Sequence, residues 1–209
     1  MYSVSEERFI TQKEADSGDF RDVRELKEKN YFFKMSKYQS RLIKHINDNP
    51  TFIQPEHRRN EVLGFLRSPL EDLCISRPKD RLNWGIEIPF DKKYVTYVWF
   101  DALINYVSAI GYQSDEKKYN TFWPVNFHLI GKDILTTHSV YWPTMLMSAE
   151  LPLPKSIFAH GWWLSDQTKM SKSLGNVVDP LDLIDSYGID PIRFYLMKEM
   201  VLGQDANFS

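Results

Sequence analysis

Between residues 91 and 160, short apolar runs alternate with longer amphipathic ones, and this order constrains the fold more than any other feature of the chain. "KYVTYVWF" reads as a strand that enters the helix "DALINYVSAIGY". "FHLI" reads as a short buried strand, followed by the helix "KDILTTHSVYWPTMLMSA", and "SIFAHG" as a third strand. Apolar strands separated by helices favour a parallel sheet, the α/β class. The flanks read differently. Residues 1–90 are charged and helix-rich. "SKYQSRLIKHINDNP" predicts a helix with Ser36 near its N-cap and a stop before Pro50. "QPEHRRNEVLGFLRSP" predicts another with Pro55 in its first turn, and "WGIEIPF" a short edge strand closed by Pro89. Residues 161–209 carry a polar loop and two short helices, "PLDLIDSYG" and "DPIRFYLMKEM". The expected organisation is therefore three parts, 1–90, 91–160 and 161–209.

Charge narrows the chemistry. Net charge is −2, with Lys/Arg and Asp/Glu mixed along both halves, so no broad polyanion-binding surface for DNA is expected. Any phosphate chemistry must come from a few placed cations. The single cysteine, Cys74, excludes an internal disulfide framework and fits a reducing, cytoplasmic compartment. No apolar run reaches membrane-spanning length.

Two patterns carry chemistry. In "KMSKSLGNVVDP", Lys169 and Lys172 lie three residues apart between Ser171 and Ser173, in a stretch too polar for core. Gly175 permits a turn there, and Pro180 suits the start of a helix. The other pattern begins at Gly131-Lys132-Asp133, where a strand passes into a helix. The carboxyl end of a parallel strand is where ligands bind in such sheets. Gly131 would allow close backbone approach, and Asp133 could accept hydrogen bonds from ribose hydroxyls. Ile134, His138 and Trp142 then recur every four residues on one helical face. Trp99, Ala102, Leu103 and Tyr106 form a similar face. The two could enclose an apolar pocket with an imidazole and a phenol in its wall. The same spacing also describes ordinary core residues, with Asp133 as an N-cap.

Together these segments resemble the class I aminoacyl-tRNA synthetases, and within them the methionyl family. "KMSKS" with "LGNVVDP" matches the second signature of the class, while "YVWFDALINYV", "FHLIGKDILTTHSVYWP" and "LCISRPKDRLNWGIEIP" are similar to the methionyl pattern. The resemblance implies the second half of a Rossmann-like catalytic domain. Part of a connective insertion would precede it, and the start of a stem-contact region would follow. It implies activation of L-methionine by ATP with Mg2+, followed by transfer to tRNA(Met). Another class I synthetase, or a non-catalytic nucleotide-fold paralogue, are the alternatives. The first class signature, a His-Ile-Gly-His-like motif, is absent, and so is the anticodon-binding region, so an internal segment inactive by itself is expected. "YSVSEERFITQKE" resembles the connective insertion, with Ser3 and Glu6 where some relatives place zinc-binding cysteines; no zinc is expected here.

Residue by residue, the resemblance assigns Lys169 and Lys172 to charge stabilisation on the departing pyrophosphate. Ser171 and Ser173 would bind the phosphates or brace the loop. Gly131 and Asp133 become ribose contacts. His160 and the "GWW" after it lie on the adenine side, Trp163 through its backbone. Trp99, Ala102, Leu103, Tyr106, Ile134, His138 and Trp142 become the methionine pocket, with Tyr106 and His138 as the polar groups near the sulfur. His138 could equally serve as a structural hydrogen-bonder.

Overall fold

The computed structural model describes residues 28–171 and 174–208, together with 2–3, 8–9, 16 and 22–24. The chain forms two compact units, Met1–Tyr31 with Cys74–Tyr97, and Phe32–Leu73 with Val98–Ser209.

The first unit is built on an antiparallel sheet whose central strand, Asp91–Thr96, lies between Ser76–Pro78 and Glu87–Ile88. Arg77 and Glu87 both face Val95 in the register. The edge strand expected at "WGIEIPF" is present and stops before Pro89, whose ring cannot donate to a ladder. "KYVTYVWF" behaves differently from the sequence expectation. Its strand ends at Thr96 and runs antiparallel, and the next helix already begins at Val98. Lys92 and Lys93, on opposite faces of the strand, are both exposed, which an antiparallel sheet tolerates and a parallel sheet covered on both faces does not.

The second unit contains the parallel sheet. Ile157–His160 is central, with His128–Gly131 on one side and Ile53–Gln54 on the other. "FHLI" and "SIFAHG" thus pair as expected, in the register His128↔Ile157 to Gly131↔His160. The third strand comes from "FIQ", a run too short to stand out between two helices. Ile53, Ile157 and Ala159 are fully buried along it. The Gln39–Asp48 helix buries Leu42 and Ile46, one turn apart. Ser36 is not its cap: the residue lies in a 3₁₀ turn, Met35–Tyr38, and gives both its N–H and its hydroxyl to Asp72 Oδ1. Pro55 immediately precedes the first turn of the Glu56–Phe65 helix, where its missing N–H costs nothing.

The stretch expected as one helix after "FHLI" is wound three ways: a 3₁₀ turn over Lys132–Ile134, a π-helical turn over Thr137–Tyr141, and an α-helix over Trp142–Ser148. Pro143 supplies the reason. It cannot donate to the carbonyl four residues back, and the backbone widens where that bond is missing. Leu103 and Val107 from the Val98–Ser108 helix pack there with Trp123, Trp142, Met145 and Leu146 as one buried cluster.

Beyond His160, a second small sheet carries Trp163–Ser165 at its centre, antiparallel to Thr168–Lys169 and parallel to Ala206–Phe208. The two-residue hairpin is closed by Asp166 and Gln167, both at positive φ (49° and 62°), the twist such loops need. Gly175 also has a positive φ of 65°, the turn expected of it. Asp179 caps the Pro180–Tyr187 helix through Leu181 N at 2.8 Å, and Ile189–Glu199 follows after Gly188.

Candidate functional site at the carboxyl ends of the parallel strands

Gly131 and His160 are paired neighbours at the carboxyl ends of their strands. A Cβ on Gly131 would come within 2.5 Å of Asp133 Oδ1, so glycine is what lets that carboxylate fold back over the strand end. His160 Nδ1 donates to Gly161 O at 2.7 Å. Gly161 is held still more tightly, since a Cβ there would lie 2.0 Å from Gln204 O. This close approach brings Asp205 over the site. Its carboxylate accepts from Trp162 N at 2.8 Å and pairs with Lys132 Nζ at 2.5 Å. The Lys132 hydrogen bond, and then that from the Trp162 backbone, hold the Asp205 carboxyl below its usual range. Trp162 Nε1 donates to Asp133 Oδ1 at 3.3 Å. The ammonium groups of Lys132 and Lys169 each lie 4.1 Å from the centroid of the Trp162 ring.

An aromatic cluster follows. Tyr106 donates its hydroxyl to His138 Nε2 at 2.8 Å, and His138 Nδ1 donates to Ile134 O at 3.0 Å. The carbonyl can only accept, so the His138 proton sits on Nδ1 and Nε2 is left as acceptor. Burial lowers the His138 pKa against the raising effect of the Ile134 carbonyl, and burial raises that of Tyr106. The pair is therefore a neutral imidazole and a neutral phenol. Trp142, fully buried, donates Nε1 to His128 Nε2 at 3.1 Å. Desolvation, aided by His138, pushes the His128 pKa down to about 4. The Tyr106 ring lies 4.3 Å from that of His128, 5.6 Å from His138 and 6.0 Å from Trp142.

The sequence-expected residues divide accordingly. Gly131, Asp133 and His160 share the strand ends, while Tyr106, Ile134, His138 and Trp142 share the aromatic cluster. Leu103 is packed into the core behind Trp142. On the same helix Trp99 is half-buried and Ala102 exposed. Trp163 runs in the centre of the small sheet, and its ring is taken up by Tyr195 at 5.8 Å and Phe208 at 5.9 Å. Lys169 and Ser171 are described, whereas Lys172 and Ser173 lie outside the described residues. Glu6 does too, and Ser3 is described for its backbone alone.

Three residues escaped the sequence reading, and a fourth, Trp162, entered it only within the "GWW" after His160. Asn176 Oδ1 accepts from Ser171 N at 2.8 Å while its Nδ2 donates to Lys169 O at 3.3 Å, so one side chain ties both ends of the lysine-bearing segment. Asp205 and Trp162 carried no distinctive spacing. His128 did leave a signal, as a polar residue inside a buried strand that needs a partner.

The parallel sheet, with Gly131 and His160 at the carboxyl ends of its strands, sets the chain among the α/β folds. A family model described as tRNA synthetases class I (M) matches residues 11–209, and the chain belongs to that family. It is 55% identical over 207 residues to the methionine–tRNA ligase of Clostridium acetobutylicum, covering 98% of this chain and 32% of that protein. It is 49% identical to the methionine–tRNA ligase of Rickettsia conorii, covering 100% of this chain and 41% of that one. Among solved structures, the methionyl-tRNA synthetase of Mycobacterium tuberculosis in complex with methionyl-adenylate matches with a TM-score of 0.90 and 42% identity, over 100% of this chain and 42% of that one. The apo form of the same enzyme gives 0.87 at 39% identity. The chain thus spans about a third to two fifths of the length of these relatives.

Proposed function

We propose that this chain supplies the second half of a methionine–tRNA ligase catalytic centre, where ATP activates L-methionine before transfer to tRNA(Met). In this reading the methionine carboxylate attacks the α-phosphorus of ATP, methionyl-adenylate forms, and pyrophosphate leaves. Gly131 and Asp133 meet the ribose, with His160 and the main chain of Trp163 on the adenine side. Trp99, Ala102, Leu103, Tyr106, Ile134, His138 and Trp142 surround the methionine side chain. A thioether is apolar and polarizable, and aromatic walls favour it by about 0.3–1.5 kcal/mol per contact.

The observation that carries the reading is the Tyr106–His138 pair, fixed at 2.8 Å beside Trp142, with His138 seven residues beyond Gly131. It fixes the orientation of an aromatic, polarizable wall, and sulfur–ring contacts favour a thioether there over an isosteric hydrocarbon. Lys169 and Lys172 complete the reading on the phosphate side. Their ammonium groups meet charge that grows only as pyrophosphate departs, so they act on rate rather than on substrate affinity. Mg2+ enters with ATP: it is held chiefly by substrate phosphates and water. The 161–209 segment, after its lysine loop, begins the stem-contact region, and residues before 91 belong partly to the connective insertion. A cytoplasmic location goes with this reading.

The test is amino-acid-dependent ATP–pyrophosphate exchange by the natural polypeptide that carries this sequence, at its full length. Exchange with methionine alone is expected. Exchange driven by isoleucine, valine, leucine or cysteine instead would assign the site to another class I synthetase, and none at all would favour the non-catalytic paralogue.

A further inference from the structure

Trp162 is engaged on three sides. Its backbone N–H is held by Asp205 at 2.8 Å, its Nε1 donates to Asp133 at 3.3 Å, and its ring receives the ammonium groups of Lys132 and Lys169 at 4.1 Å. The two lysines differ in one respect. Lys132 is also paired with Asp205, whereas among the described residues Lys169 makes no ion pair. An ion pair would neutralise the Lys169 charge and cost desolvation to break. A ring face holds an ammonium while leaving its charge uncompensated. The hairpin fixes where this happens, because Lys169 stands opposite Leu164 in the register, two residues from Trp162. Asn176 anchors the Lys169 carbonyl from the other side.

We propose that Trp162 is a positioning residue that links the two ends of the nucleotide site. Its indole N–H sets the Asp133 carboxylate at the ribose end. Its ring holds the Lys169 ammonium ready for the leaving pyrophosphate. The proposal rests on the activation reading above for its chemistry, and on the ring–ammonium geometry for its structure. Lys169 keeps the ring face while its N–H groups turn to the phosphate oxygens, so the ring contact persists as charge builds there. Trp162 therefore acts through Lys169 and Asp133 and touches no reacting atom.

Two measurements on the full-length natural polypeptide test this. In the first, lysines are reductively ¹³C-dimethylated, which keeps their charge, and the Lys169 resonance is assigned by its loss in Lys169→Arg. The ring current of Trp162 should displace that resonance. Trp162→Leu should return it to the position of exposed lysines, and Trp162→Phe should keep most of the displacement. The second is single-turnover adenylate formation by the unmodified protein. Trp162→Leu should slow the step about tenfold in the wild-type background and by clearly less in Lys169→Ala, where only the Asp133 link remains to be lost, because residues acting through one another are non-additive. Trp162→Phe, which restores a ring face but not the indole N–H to Asp133, should recover part of the rate. An undisplaced Lys169 resonance in an active wild type, or losses that simply multiply in the double variant, would overturn the positioning role. A displaced resonance in a protein with no methionine-dependent exchange would remove the activation reading and leave the ring–ammonium docking standing.

Discussion

His128 should make the protein acid-sensitive in a defined window. The imidazole is buried, accepts Trp142 Nε1 at 3.1 Å, and has its pKa pushed from 6.5 down to about 4 by desolvation and by His138. In the unfolded chain the same ring takes a proton near pH 6.5, so between these values the unfolded state binds more protons than the folded one. Stability from this group is therefore complete above pH 6.5 and falls as pH drops towards about 4. At about 1.4 kcal/mol per pH unit, the full crossing corresponds to roughly 3 kcal/mol, of which roughly 2.5 is lost by about pH 4.5. His128→Gln removes the titration while keeping an acceptor for the indole. It also loses the ring contact with Tyr106 at 4.3 Å, a cost that does not depend on pH. Urea unfolding of wild type and variant, followed by tryptophan fluorescence from pH 8 to 4.5, separates the two effects. The wild type should start more stable at pH 8, and the difference should shrink or reverse towards pH 4.5. Parallel curves would show that His128 does not stay neutral in the fold, and the reasoning from its burial would fail.

Other substitutions probe the strand ends and the loop. Gly161→Ala places a methyl group 2.0 Å from Gln204 O, and should cost roughly 1–3 kcal/mol or more, read as a lowered urea midpoint, because the obstacle is backbone and cannot rotate away. Asn176→Ala removes the bonds to Ser171 N and Lys169 O; it should slow adenylate formation several-fold while methionine affinity, measured by equilibrium dialysis, stays within about twofold. Lys172→Ala should lower the adenylation rate by about a hundred- to thousandfold, by analogy with the loss of an oxyanion donor, and leave methionine binding unchanged in the same assay. Tyr106→Phe leaves the buried His138 Nε2 without its donor, and should weaken methionine binding and loosen discrimination against norleucine in a competition experiment.

The sequence by itself determined the parts that depend on local chemistry. The short runs "FHLI" and "SIFAHG" read as strands, and they became the paired strands of the parallel sheet, with His128 and Ile130 buried but Phe127 and Leu129 exposed. Pro89 ended its strand because it has no N–H to give a ladder, and Gly175 took the positive φ because it has no Cβ to oppose it. The four-residue spacing of Ile134 and His138 placed them one above the other, and the carbonyl of one now receives the imidazole of the other at 3.0 Å. Tertiary structure decided what joins residues far apart in the chain. "KYVTYVWF" is compatible with either strand direction, and its partners Ser76–Pro78 and Glu87–Ile88 set it antiparallel. Ile53–Gln54 is too short to signal a strand until Ile157–His160 offers it a ladder. Trp162, Asp205 and Asn176 have no periodicity that marks them. Trp162 and Asp205 join the site because Gly161 meets residue 204 backbone to backbone and brings two distant segments together, and Asn176 because its loop doubles back on Lys169. Such contacts depend on three-dimensional closure, and linear spacing carries no record of it.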